Sequence, residues 1–126
     1  MNSNALRFLS FGLGALLLFH GIDKVMHGVD YIEKILVALK VPYSHYLQYG
    51  VYIGEVVAPI LLIFGKYIRI SGAIIAFNML VAIYLVNKDT IFTLGEHGAW
   101  SIELPMLYLV GGLTLALWEK DSVVKK

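Results

Sequence analysis

The chain has 126 residues, 59% of them hydrophobic and 15% charged, with a net charge of +1 and a mean hydropathy of +0.75. Soluble domains average about 45–50% apolar and about 25% charged, so a soluble domain of this size has no interior large enough for so much apolar surface. The small net charge recruits no nucleic acid, and the lack of cysteine excludes disulfides, thiolate metal sites and CxxC exchange chemistry in this subunit.

Four hydrophobic segments follow one another, at about 6–26, 47–64, 68–86 and 99–118. Each is long enough to cross about 30 Å of hydrocarbon as a helix. They are apolar all round, so lipid is the expected solvent. The predicted fold is all-α: one domain, an integral membrane four-helix bundle. A cleaved leader is the alternative for the first segment. Its run ends in Phe19-His20-Gly21 without a small-x-small cleavage pattern, so it is read as a retained span.

Four spans put both termini on one side, with Arg7, Lys66, Arg69, Lys120, Lys125 and Lys126; Lys24, Lys34, Lys40 and Lys88 fall opposite. The short turn with Lys66 and Arg69 is the sharpest marker. Lysine and arginine bias sets orientation, which makes both termini cytoplasmic, in a multi-pass protein of a bacterial inner membrane. The first outer loop, 29–46, carries Tyr31, Ile32, Ile35, Leu36 and Leu39 at helical spacing, with Glu33, Lys34 and Lys40 off that stripe. It is expected to form a short amphipathic helix ended by Pro42. The helix either lies on the outer interface or packs as an ordinary loop helix.

Ionisable side chains within the spans form the main functional signal. A charge at the centre of a bilayer costs roughly 2.5–3.5 kcal/mol on insertion scales, so such residues need partners. His20 lies about 21 Å up the first span, with Asp23 and Lys24 just beyond it. Glu55 lies about 12 Å down the second. Pro59, four residues on, leaves the Glu55 carbonyl without its helical donor. Asn78 falls near the middle of the third span, and Glu103 about 6 Å below the outer edge of the fourth. Tyr52 and Trp100 lie at comparable or shallower depth. The predicted polar site is therefore His20, Lys24, Glu55, Asn78 and Glu103, with Tyr52 and Trp100 as pocket aromatics. His20, Glu55 and Glu103 are expected to face the interior in one network.

Each residue also has a plainer reading. His20, Asp23 and Lys24 can be interfacial, with Lys24 snorkelling. Glu103 can be an N-terminal helix residue behind a Ser101 cap. Asn78 can be helix–helix glue, and Tyr52 and Trp100 can belong to an aromatic belt. Glu55 is too deep for any of these. His20, His27, His45 and His97 all map to the outer side. They form no HxH or HxxxH pair, so no metal site is expected.

At these positions the chain resembles the DoxX family of small four-span membrane proteins. The likeness runs through Arg7, His20-Gly21-x-x-Lys24, Gly54-Glu55, Pro59-Ile60-Leu61-Leu62-Ile63-Phe64-Gly65, Arg69 and Glu103. The tail, with Gly111-Gly112 and Trp118-Glu119-Lys120-Asp121, departs from the family pattern. The family takes its name from a subunit of an archaeal thiosulfate:quinone oxidoreductase, and members are linked to redox stress and quinone-related processes. The resemblance implies fold and membrane location, and no catalytic residues with assigned chemistry.

Three functions compete. The first is a redox-associated subunit binding a quinone or similar amphiphile in the outer half of the bundle. There Glu55 accepts or relays a proton, and His20 bonds a carbonyl oxygen. The chain has no redox centre of its own, so electrons would come from a membrane or peripheral redox partner. The second is a non-catalytic scaffold whose polar network fixes helix register. The third is a small permease, for which a homodimer would supply enough helices.

Overall fold

The computed structural model describes residues 3–118. Helix α1 covers Ser3–His27 and stops at Gly28, whose left-handed φ of +84° turns the chain back while its N–H caps the Lys24 carbonyl at 2.8 Å. Helix α2, Asp30–Ala38, is the expected amphipathic helix. Leu36 is buried, Lys34 and Val37 are exposed, and Glu33 is half-buried. α2 packs on the start of the next helix and on the third long helix, so it is a packed element at the end of the bundle where α1 stops. It ends before Pro42, because Lys40 takes a left-handed φ of 61° and the Val41 N–H closes on the Leu36 carbonyl at 3.0 Å. That is the usual left-handed helix stop.

Helix α3 spans Ser44–Phe64, starting three residues before the expected 47. It is not uniform. A wide π turn occupies Ile53–Val57, where the Ala58 N–H reaches the Ile53 carbonyl. Pro59 follows and has no N–H to give to Glu55. The helix widens where that bond is missing, and Glu55 sits within the widened turn. Gly65, with φ +72°, ends α3. Helix α4, Ile68–Asn87, runs back, close to the expected 68–86.

The fourth span is shorter than expected. Helix α5 covers Glu103–Leu117, and residues 99–102 belong to a small hairpin instead. There the Trp100 indole N–H bonds the Ile91 carbonyl and the Ser101 hydroxyl bonds the Thr90 carbonyl, so neither is free to extend α5. Among the described residues three helices are long and apolar enough to cross a membrane, and α5 is a shorter apolar one. Its 15 residues rise about 22 Å, short of a 30 Å core.

The end of the bundle that holds the α1 N-terminus is packed and apolar. Leu6, Ser10, Leu13 and Leu17 recur along one face of α1 and are all buried, as are Ala58 and Leu62 of α3. The Ser10 hydroxyl bonds the Leu62 carbonyl at 2.8 Å, so even this polar group is spent on helix contact. Helices α4 and α5 lie against each other, with Gly72 and Gly112 at the crossing. A Cβ on Gly112 would stand 2.7 Å from the Gly72 carbonyl oxygen. Small residues that admit close backbone approach are the usual device where no water drives helices together. Phe8, Phe11, Phe19, Phe64 and Phe77 are all exposed, as expected where lipid surrounds the helices.

Gly112→Leu should therefore force α4 and α5 apart. Overpacking of this kind costs about 1–3 kcal/mol. A thermal melt in detergent should fall by several degrees, while Leu113→Ala, at an exposed position, should leave it nearly unchanged.

Candidate functional site

Three helices bring polar side chains to one carboxylate. Glu55 is 4% exposed. Its Oε1 takes a bond from Lys24 Nζ of α1 at 2.7 Å, and its Oε2 takes one from Asn78 Nδ2 of α4 at 2.9 Å. Such charge-assisted bonds are the strong ones. The Tyr52 hydroxyl, one turn above Glu55, donates to the Lys24 backbone carbonyl at 3.1 Å. It holds the end of α1 and does not line the cavity described below.

Two glycines make this meeting possible. Gly21 packs on the Glu55 backbone carbonyl, and a methyl group there would collide with it. A Cβ on Gly54 would lie 2.6 Å from the Asn78 Cβ. The carbonyl that Pro59 leaves without a donor is thus covered by the bare backbone of α1, and α4 comes close enough for Asn78 to reach Glu55.

The cluster forms part of the wall of a cavity of about 990 Å³. His20, Lys24, Glu55 and Asn78 line it, and the rest of the wall is mainly aliphatic. In one direction it continues along α4 past Phe77, Ile74 and Ile70; in the other it reaches Gln48 of α3 and Tyr31 of α2. A concave apolar space with a few convergent polar groups is the usual form of a small-molecule site.

A sequence model of the DoxX family matches residues 5–88, about two thirds of the chain. The chain belongs to the DoxX family. No curated protein and no solved structure matches it significantly. The family match takes in Lys24, Glu55 and Asn78, and it stops before α5.

In this DoxX protein the other expected residues separate. His20 is exposed on the cavity side of α1, edge-on to Tyr108 with ring centroids 5.8 Å apart. Glu103 is exposed, is the first residue of α5 and lies outside the cavity wall. The expectation that it joins Glu55 in one network is corrected: it occupies a helix N-terminus, where the dipole favours a carboxylate. Ser101 is not the cap there; Ile102 holds that position without a side-chain bond. Trp100 is also set apart, in the hairpin before α5. Among the described residues no group of three or more His, Cys, Asp or Glu side chains could hold a metal.

Tyr108 and Gln48 belong to the cavity wall and were not singled out in the sequence. Tyr108 is a lone phenol in the apolar run of α5, and that was its signal. Gln48 stands where the second span was expected to begin, so it read as a boundary residue.

Glu55→Leu should cost about 3–5 kcal/mol, because it strands the Lys24 ammonium in a largely apolar wall. Pairing it with Lys24→Met should restore much of that loss. Thermal or denaturant unfolding of both single variants and the double variant checks the coupling; additive losses would show the pair to be uncoupled.

Proposed function

We propose that this DoxX protein is a redox-associated membrane subunit that binds a quinone or similar amphiphile in the cavity beside Glu55. The observation that carries the reading is the siting of a buried ion pair on the wall of a large apolar cavity. A quinone has the matching division: oxygens on a flat ring and an apolar tail. Lys24 has three N–H donors and gives one to Glu55, so a ligand carbonyl can take another. The tail would follow the aliphatic wall along α4. Glu55 is the group that accepts or relays a proton, and His20 stands at the same wall for exchange. The chain supplies no electrons itself, so a membrane or peripheral redox protein is the partner in this reading. Both termini are placed on the cytoplasmic side of a bacterial inner membrane, on the bias of Lys66 and Arg69.

The scaffold reading has one observation in its favour. Both Glu55 oxygens already have donors, as a register-fixing network requires. It offers no role for the cavity. A permease would need a polar path to the inner side, built by this chain or shared with a second copy of it. The inner wall runs through Ile74 and Ile70, which opposes that reading.

Glu55→Gln separates the first two. It keeps the shape and an acceptor for Lys24 but removes the charge and the titrating proton. On the proposed reading the variant folds with unchanged helicity and loses the thermal protection given by a short-chain benzoquinone. If protection persists while Glu55→Leu melts lower, the cluster is structural. For orientation, a Lys66→Cys variant in intact cells should resist a membrane-impermeant maleimide and react after permeabilisation. Labelling from outside would reverse the topology.

A further inference from the structure

Tyr108 of α5 is only 6% exposed, and it belongs to the cavity wall together with Leu104 and Pro105 of the same helix. Its ring stands edge-on to His20 of α1, which lines the same space. A buried tyrosine ordinarily gives its hydroxyl to a protein acceptor. Here the hydroxyl makes no hydrogen bond among the described residues, and, unlike Gln48 Oε1, it is not sealed within the packing. An acceptor is close at hand. The charge of Glu55 acts on the phenol, yet the two Glu55 oxygens take their bonds from Lys24 and Asn78 and not from Tyr108. The phenol of α5 and the carboxylate of α3 therefore share one cavity wall, within electrostatic range and with no bond between them. The ion pair does not account for a hydroxyl left open at this place. A ligand atom that accepts its proton supplies the missing bond.

We propose that Tyr108 positions the polar head of the amphiphile, its hydroxyl donating a hydrogen bond to a carbonyl oxygen of a ligand held beside the ion pair. This rests on the amphiphile reading above and adds what selects the head. Lys24 is the other donor at this wall, with N–H groups beyond the one it gives to Glu55. The two donors come from α5 and α1. A head with oxygen acceptors pairs them, whereas a hydrocarbon ring of equal size leaves both unpaired. Sites that hydrogen-bond a substrate reject analogues lacking the matching group for this reason. The hydroxyl has no protein partner to lose, so it acts on binding and not on the fold.

The test is calorimetric titration of the detergent-solubilised full chain with a decyl-benzoquinone and with decylbenzene, which has the same tail and no oxygen. The wild-type protein should bind the quinone more tightly than decylbenzene. Tyr108→Phe removes only the hydroxyl. It should weaken quinone binding about tenfold, the effect of one hydrogen bond, and leave decylbenzene binding as it was. Without ligand it should melt at or above the wild-type temperature. Folded Tyr108→Phe that binds the quinone as the wild type does would overturn the role of Tyr108 and leave the amphiphile reading in place. A lower melting temperature, equal losses for both compounds, or failure to fold would show that the hydroxyl has a structural partner, and would overturn it too. Wild-type protein that binds the quinone no better than decylbenzene would remove both readings.

Discussion

The half of the bundle away from the α1 N-terminus depends on the ion pair between Lys24 and Glu55. Taking a carboxylate out of water costs several kcal/mol even after relaxation, and only close, well-bonded partners repay it. Here α1 supplies the ammonium and α4 supplies the amide. Because the partners come from different helices, the requirement to satisfy one carboxylate ties α1, α3 and α4 together at one level. Further in, the same helices need no such tie, since Leu6, Leu13, Leu17 and Leu62 fill the space between them.

That geometry begins with a missing hydrogen bond. Pro59 has no N–H, and the turn before it widens into the π form. π turns mark functional sites often enough to be noticed, and the consequence here is local and mechanical. Glu55 sits inside the widened turn, and its carbonyl lies against Gly21. Gly54, the residue before it, clears room for Asn78. One proline and two glycines therefore bring a carboxylate, an ammonium and an amide together without a loop entering the apolar region.

Much of this was legible in the sequence, for physical reasons that differ by residue. Glu55 was found because no surface explanation fits a carboxylate so deep in an apolar run. Lys24 and Asn78 were placed beside it by depth alone, since helix rise converts sequence distance into height. Depth does not give rotation about the helix axis, and that is why Glu103 misled. Its height matched, but the span before it was spent on the Trp100–Ser101 hairpin, which left Glu103 at an exposed helix start. Gln48 was missed for the opposite reason. Its burial depends on α2 folding back so that Glu33 can meet it, a tertiary contact with no periodic signal.

The cavity wall is graded from one end to the other. At one end it meets Tyr31 and Ile32 of α2; next stand the ammonium of Lys24 and the amide of Asn78; beyond them Ile74 and Ile70 offer only aliphatic surface. A register-fixing network would be complete at Glu55, where every strong acceptor has its donor. Gln48 falls outside that network, although it is as deeply buried as the leucines of the core. Beyond Asn78 an ion moving along this wall would meet only hydrocarbon side chains and would lose its hydration without repayment. The proposed amphiphile needs no such path, because its polar end can be held at Lys24 while its apolar tail stays against the aliphatic wall.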